Sequence, residues 1–217
     1  MKIVVIEDEA LVRSMVLRIC RTHAVGESVH EAADGASGLR VCLDTKPDLV
    51  LLDIDLPDCD GLDLADQITA ALPRVRIVVL SARTDDYHLH RVFTRHFQGF
   101  VDKNDQPIDA IEDVLAAAER GNSYFSPTVQ RARVALRENP QTFSKLLSER
   151  EQELLRLFGQ GQSNEEIASA LGLAPMTVQN HRRNILGKLG LHSTPELIRY
   201  AAERGFARFR SASPKAE

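Results

Sequence analysis

The chain has 217 residues, of which 43% are hydrophobic and 27% charged, a composition typical of soluble globular proteins. No apolar run approaches the ~20 residues that span a bilayer, which argues against a membrane protein. The first residues lack the pattern of a signal peptide, and Cys20, Cys42 and Cys59 lack the spacing of metal ligands. We therefore expect a cytoplasmic protein with free thiols.

The charged residues are distributed unevenly along the chain. Residues 1–140 carry 16 basic and 23 acidic residues, whereas residues 141–217 carry 11 basic and 8 acidic residues. The net charge thus changes from −7 to +3, which predicts two modules with different partners. Turn-forming residues between 121 and 140 place the boundary there. We expect a first domain over 1–120, a linker over 121–145 that contains a short helix at 127–138, and a second domain over 146–210.

The first module alternates apolar strands with amphipathic helices. The sequence predicts strands at 2–6, 27–33, 48–53, 75–80 and 98–102. It predicts helices near 11–19, 35–43, 62–72, 84–96 and 107–119. This alternation indicates an α/β fold of the flavodoxin-like kind, with a parallel sheet in the order 2-1-3-4-5.

The apolar run at 49–52 ends abruptly at Asp53, which is typical of a strand buried on both faces. Open α/β sheets place their chemistry at the carboxyl ends of such strands. A single Asp there is equally consistent with a cap on the following turn. However, the first strand ends at Glu7-Asp8 and lies beside the third in the predicted order. We therefore expect three carboxylates to converge at this edge of the sheet.

Converging carboxylates need a cation. Like charges about 4 Å apart repel by about 4 kcal/mol at an effective dielectric near 20. Oxygen ligands without a nearby His or Cys set favour Mg²⁺ over zinc. The neighbouring strands end at Ser81 and Lys103, which add a hydroxyl and a fixed positive charge.

Residues 1–120 resemble the receiver domain of two-component response regulators. The matching residues are Glu7-Asp8, Asp53 with Pro57 and Gly61, Ser81-Ala82, Phe100, and Lys103 with Pro107. The resemblance implies that a sensor histidine kinase phosphorylates Asp53 and that Lys103 pairs with the phosphoryl group. It also implies an Mg²⁺ site made by Glu7, Asp8, Asp53 and the main-chain carbonyl of Asp55. Ser81 and Phe100 would form the switch, although simple core packing is the alternative for Phe100.

The second module is expected to be all-α, with four short helices. Ser148 and Ser163 each precede acidic residues, which predicts the N-caps of the first two helices. A tight turn at 172–175 leads to a third helix that ends near 189, and Thr194 opens a fourth. Two short helices joined by a Gly-containing turn indicate a helix-turn-helix, whose second helix enters the major groove of DNA.

Residues 147–202 resemble the LuxR-type DNA-binding domain. The matching segments are Ser148-x-Arg150-Glu151, the run from Gly161 to Ala168, and the run from Thr177 to Leu189. Together with the receiver, this similarity indicates the NarL/FixJ family. It implies that Gln179, Asn180 and Arg183 point toward base edges, and that Thr177, Arg182 and Lys188 contact phosphates or flanking bases. An ordinary solvated helix face is the alternative, and His181 is expected to be a partly buried structural residue.

The resulting expectation is a transcription regulator rather than an enzyme. Phosphorylation would favour homodimerisation or release the DNA-binding module for binding to double-stranded promoter DNA. The pair Asp53 and Asp55 also resembles superficially the nucleophile pair of haloacid-dehalogenase-like phosphatases, but the other acids lie upstream and a DNA-binding module follows. A third reading is a phosphate-independent DNA binder whose receiver only dimerises. The complete set of acids, serine and lysine argues against it.

Overall fold

The computed structural model describes residues 1–23, 28–95, 97–105, 107–139 and 142–207. The chain divides into two compact units, one made of residues 1–84 and 91–134, the other of residues 85–90 and those from 135 onward. Several parts of the predicted elements and domains lie outside the described residues, among them Glu27 in the second strand, His96 in the fourth helix, residues 140–141 in the linker, and the segment from Arg208.

Strands and helices alternate through the first part of the chain. In the described residues up to 139 they are β1 (Ile3–Ile6), α1 (Ala10–His23), β2 (Val29–Ala32), α2 (Gly35–Thr45), β3 (Leu49–Leu52), α3 (Gly61–Ala71), β4 (Arg76–Ser81), α4 (Asp86–Thr94), β5 (Gly99–Asp102), α5 (Pro107–Glu119), β6 (Tyr124–Phe125) and α6 (Pro127–Glu138).

The strands form one parallel sheet in the order β2-β1-β3-β4-β5-β6. The predicted flavodoxin-like α/β order is therefore confirmed, with one additional strand. In β6, Tyr124 and Phe125 pair with Gly99 and Phe100 of β5, in a segment predicted to be linker. Two residues are too few to produce a visible hydrophobic alternation, so the sequence pattern could not reveal this strand.

The core of the first unit lies on both faces of the sheet. Every residue of β1 and β3 is buried, as expected for parallel strands covered by helices. Alternate residues of these strands, such as Ile3, Val5 and Leu51, pack with apolar residues of α1 and α5 in one cluster. The tight fit extends to α2, where a Cβ on Gly38 would lie 2.7 Å from the Cδ1 atom of Ile6.

The loop from β3 to α3 folds back closely on the end of β3. The Gly61 amide donates to the carbonyl of Ile54 at 2.9 Å, and Asp55 forms a bridge with Asp60. A Cβ on Gly61 would lie 2.0 Å from the main-chain oxygen of Asp53. Only glycine fits this close approach, which fixes the backbone that carries Asp53.

The second unit is helical. Its helices beyond residue 142 are α7 (Phe143–Leu146), α8 (Glu149–Gly159), α9 (Asn164–Leu171), α10 (Pro175–Leu189) and α11 (Thr194–Glu203). The four predicted helices correspond to α8–α11. The four-residue α7 was not predicted, and it crosses the predicted boundary between the linker and the second domain. Capping boxes made by Ser148 with Glu151 and by Ser163 with Glu166 open α8 and α9, as their sequences predict.

A single apolar cluster holds these helices together, and it includes Leu154, Ile167, Val178, Ile185 and Leu197. The link from α9 to α10 turns at Gly172, whose φ of 64° lies in the left-handed region. Within the described residues, every helix is too short or too polar to span a lipid bilayer.

We expect Gly61→Ala to lower the free energy of unfolding of the first unit by about 1–3 kcal/mol, because the added methyl group collides with backbone. Chemical denaturation would measure this loss. Gly187→Ala is the control, since a Cβ there meets nothing within 4 Å inside a helix. Gly187→Ala should leave the free energy of unfolding of the second unit, which contains α10, unchanged or raise it by up to about 1 kcal/mol. Equal effects of the two substitutions would contradict the steric explanation.

Candidate functional site

One lysine and three carboxylates meet at the carboxyl edge of the sheet. Lys103, which follows β5, places its Nζ 2.9 Å from Oδ2 of Asp53 and 2.6 Å from Oε2 of Glu7. One oxygen atom from each of Glu7, Asp8 and Asp53 lies within 4.8 Å of the others. Glu7 and Asp53 are buried, whereas Asp8 is exposed. The topology thus brings together the ends of β1, β3 and β5.

The pocket contains too little positive charge for its carboxylates. Burial, followed by the charge of Asp53, raises the pKa of Glu7 to about 7, although Lys103 opposes the shift. Burial lowers the pKa of Lys103, but the charges of Asp53 and Glu7 outweigh it and raise that pKa above its usual range. One ammonium serves two buried carboxylates, so Glu7 retains a proton more readily than a free glutamate.

The pocket has the features of a divalent-cation site. Oε2 of Glu7 is buried and, despite its short ion-pair distance to Lys103, has no hydrogen bond of good geometry among the described residues. Three convergent carboxylates, one of them reachable from solvent, are hard oxygen donors of the kind that bind Mg²⁺ together with water. The residues present therefore fit the cation that the sequence predicts.

Asp55 and Ser81 lie beside this pocket and share a neighbour, Arg83. The Nε of Arg83 lies 2.9 and 2.7 Å from the two carboxylate oxygens of Asp55. The main-chain amide of Arg83 donates to Oγ of Ser81 at 3.1 Å. Arg83 therefore connects the loop after β4 to the loop after β3. The carboxylate of Asp55 is thus paired with Arg83, and the main-chain carbonyl of Asp55 is the group that the receiver resemblance implies for the cation.

The two residues predicted to form a switch lie on neighbouring strands and are both fully buried. Ser81 ends β4, and its main-chain oxygen accepts from the amide of Lys103 at 3.0 Å. Phe100 lies in β5 between Val79 of β4 and Phe125 of β6. The ring is part of the core. Its strand, β5, also pairs with β6, which directly precedes α6.

The second candidate site is the exposed side of α10. Asn180, Arg183 and Lys188 are exposed, and Thr177, Gln179 and Arg182 are half-exposed. His181 is also half-buried. Ala174 precedes the helix without a side-chain cap, and Pro175 occupies its first turn.

Two of the three cations on α10 also contact their own unit. The guanidinium carbon of Arg182 lies 5.9 Å from the ring centroid of Phe158. The Nζ of Lys188 lies 2.7 Å from Oε2 of Glu151, the capping residue of α8. Burial opposes the effect, but the hydrogen bonds from Lys188 and Ser148 lower the pKa of Glu151. Lys188, which is predicted to contact DNA, thus also contributes an ion pair to the interface between α8 and α10.

The sequence pattern predicts no role for Arg83 or for Arg13. The Nη1 of Arg13 donates to the main-chain oxygens of Glu7 at 2.7 Å and of Asp8 at 3.2 Å. Both arginines lie in ordinary polar positions of a loop and a helix. Their contacts depend on side-chain conformations set by the tertiary structure, and no spacing in the chain signals them.

The pKa of Glu7 predicts how stability depends on pH when EDTA removes divalent cations. A folded-state pKa of about 7 exceeds the unfolded value, so the stabilisation is complete below about pH 4.3 and is lost as pH rises through 7. Relative to Glu7→Gln, the unfolding free energy of the wild type should fall by about 1 kcal/mol per pH unit between pH 5 and 7. Chemical denaturation at each pH would measure these free energies. If the unfolding free energies of the two proteins changed in parallel with pH, this prediction would be wrong.

Comparison with known proteins matches both modules to families. The response regulator receiver domain matches residues 3–115, and the luxR family of bacterial regulatory proteins matches residues 145–201. The response regulator protein VraR of Staphylococcus aureus is 31% identical over 201 residues, covering 92% of this chain and 95% of VraR.

Solved structures of RcsB are also similar to this chain. RcsB from Salmonella enterica serovar Typhimurium, bound to promoter rprA in the presence of the phosphomimetic BeF3-, has a TM-score of 0.62 and 25% identity. This alignment covers 94% of our chain and 98% of RcsB. A structure of two RcsB dimers bound to two parallel DNAs has a TM-score of 0.61, also at 25% identity, with 94% and 98% coverage. The protein described here belongs to the response regulators that join a receiver domain to a LuxR-type DNA-binding domain, the NarL/FixJ type.

Proposed function

We propose that Asp53 accepts a phosphoryl group from a sensor histidine kinase in an Mg²⁺-dependent reaction, and that this modification controls the DNA-binding module. The observation that carries the proposal is the position of Lys103, whose ammonium lies 2.9 Å from Asp53 and 2.6 Å from Glu7. A carboxylate is a weak nucleophile toward a phosphorylated imidazole unless nearby positive charge stabilises the transferring group. Lys103 provides that charge at the acceptor oxygen.

The proposed reaction is a transfer between two side chains. An oxygen of Asp53 attacks phosphorus and forms a P–O bond as the P–N bond of the kinase phosphohistidine breaks, and the electron pair leaves with the imidazole nitrogen. Glu7, Asp8, Asp53 and the carbonyl of Asp55 would hold Mg²⁺. When bound, the cation would supply charge neutralisation for the phosphoryl oxygens. Each transfer leaves the phosphoryl group on Asp53 itself rather than on a released product, so we propose an acceptor rather than an enzyme.

The phosphorylated aspartate would change the balance of contacts around Ser81. It adds about 1.5–2 negative charges and new acceptor oxygens. Ser81 would leave the amide of Arg83 to donate to one of these oxygens, and Phe100 would adjust in the core. A change from 1:99 to 99:1 between two states requires about 5.5 kcal/mol of differential stabilisation. Several charge-assisted hydrogen bonds together with dimerisation are of that size.

The DNA-binding part of the proposal rests on α10. Gln179, Asn180 and Arg183 would contact base edges, and Thr177, Arg182 and Lys188 would contact phosphates or flanking bases. We propose that two copies bind adjacent half-sites of promoter DNA in the cytoplasm, as a homodimer formed on activation. The structures of RcsB as dimers on DNA and bound to a promoter support this by analogy. In this arrangement residues 1–120 form the receiver, 121–145 the linker and 146–210 the DNA-binding domain.

Incubation of the full chain with acetyl phosphate and Mg²⁺ should add one phosphoryl group, a mass gain of about 80 Da. Asp53→Asn should show no gain. Asp58→Asn is the matched control, because the carboxylate of this exposed acid in the same loop accepts from the amides of Gly35 and Ala36 at the start of α2. Mass spectrometry, size-exclusion chromatography and DNA retention would be followed together. Phosphorylation of Asp53→Asn, or steady release of phosphate from a generic phosphate ester over many equivalents, would contradict the proposal.

Loss of the Arg183 guanidinium should weaken specific DNA binding by about 1–3 kcal/mol and relax the preference at the base it contacts. The test uses duplexes selected from a random pool by the wild-type protein and compares Arg183→Ala with Arg199→Ala. Arg199 carries the same charge on α11 with 71% of its side chain exposed. Its removal should change affinity less than about twofold. Equal losses for both variants, with sequence preference unchanged, would contradict base contact by Arg183.

A further inference from the structure

Arg13 contacts the main chain of the loop that carries two of the pocket's acids. This loop spans only residues 7–9 between β1 and α1. From α1, the Nη1 of Arg13 donates to the carbonyl of Glu7 at 2.7 Å and to that of Asp8 at 3.2 Å. The side chain is mostly covered, with 18% of its surface exposed.

A second contact anchors the guanidinium from the neighbouring strand. Nε of Arg13 donates to Oε2 of Glu31 at 3.1 Å, and Glu31 lies in β2 opposite Val5 of β1. One side chain thus connects the acidic loop, the helix that follows it and the adjacent strand. The planar guanidinium suits this task, because it presents several donors in a fixed geometry and remains charged.

The acidic loop has a reason to need such an anchor. The carboxylates of Glu7 and Asp8 lie close to that of Asp53, and their mutual repulsion favours movement of a short, solvent-facing loop away from the pocket. Hydrogen bonds to both carbonyls oppose this movement without using the carboxylates. The carboxylates therefore stay converged while they are free to bind a cation.

We propose that Arg13 is a positioning residue for the divalent-cation site: it holds the backbone of Glu7 and Asp8 so that their carboxylates are placed before the cation arrives. This inference rests on the proposed function, since it assumes that Mg²⁺ binds there. Arg13 contacts loop carbonyls rather than the carboxylates, so its effect is exerted through Glu7 and Asp8.

Positioning and simple electrostatics predict opposite signs, which makes the inference testable. A guanidinium near the pocket repels Mg²⁺. If only this charge mattered, removal of the guanidinium would tighten Mg²⁺ binding. Loss of positioning instead weakens it. We expect Arg13→Gln to raise the Mg²⁺ dissociation constant of the full chain by about 10-fold, within the range found when residues that orient metal ligands are replaced.

Isothermal titration calorimetry with MgCl₂ is the measurement, with thermal unfolding recorded for each protein. Arg13→Lys keeps the charge but cannot bridge two carbonyls in the same way, so it should also weaken binding. Arg18→Gln is the control, because Arg18 is exposed on the same helix; its dissociation constant should stay within twofold of the wild type. At saturating Mg²⁺, the initial rate of phosphorylation by acetyl phosphate should be nearly equal in Arg13→Gln and the wild type.

Several results would overturn the inference. An unchanged or lower dissociation constant for Arg13→Gln, with only thermal stability reduced, would show that Arg13 is merely structural. A low phosphorylation rate at saturating Mg²⁺ with normal binding would place Arg13 at the phosphoryl group instead. If Arg13→Gln does not fold, the Mg²⁺ dissociation constants of Arg13→Lys and Glu31→Gln are compared with that of the wild type instead. An unchanged or lower value for these variants would overturn the inference in the same way. Absence of Mg²⁺ binding by the wild type would overturn the cation site itself, a failure distinguishable from one confined to the Arg13 variants.

Discussion

The arrangement of the first unit depends on one ammonium group shared by two buried carboxylates. Lys103 lies within ion-pair distance of both Glu7 and Asp53, which come from different strands. Neither carboxylate could be buried as an anion without it, because an unpaired buried charge costs several kcal/mol. Yet one ammonium does not balance both, and the raised pKa of Glu7 reflects that deficit. The pocket is therefore built to accept more positive charge than the chain itself supplies.

The scaffold provides this pocket by keeping the ends of the strands in register. Complete burial of β1 and β3 fixes where Glu7 and Asp53 emerge, since a slip along either strand would draw an acidic side chain into the apolar core. The loops are then restrained individually, by the close approach at Gly61 and by the arginines at 13 and 83. The buried strands and the restrained loops together hold the carboxylates and the ammonium of the site in place before a ligand binds.

Much of this could be predicted from the sequence because the signals are local. The run at 49–52 has the continuous apolar character of a doubly covered strand, and Ser148 and Ser163 begin helices with acids at the third position. The convergence of Glu7 and Asp53 follows from strand order alone, which the right-handed connections of α/β folds restrict strongly. The elements that were missed, β6 and α7, have two and four residues. Such short segments are set by the surfaces they pack on, and their own sequences carry little signal.

The sequence could not predict the partners of individual side chains, and these partners change how α10, the proposed DNA-binding helix, is understood. Of the three cations on α10, Arg182 lies over Phe158 and Lys188 pairs with Glu151, while Arg183 is exposed. A cation already paired within its own unit releases less free energy on meeting a phosphate, because part of its electrostatic interaction is satisfied beforehand. The charge available to DNA from one copy is then smaller than a count of basic residues suggests. Under the proposed function, weak binding by a single module would make DNA binding depend on bringing two modules together, a step that phosphorylation would control.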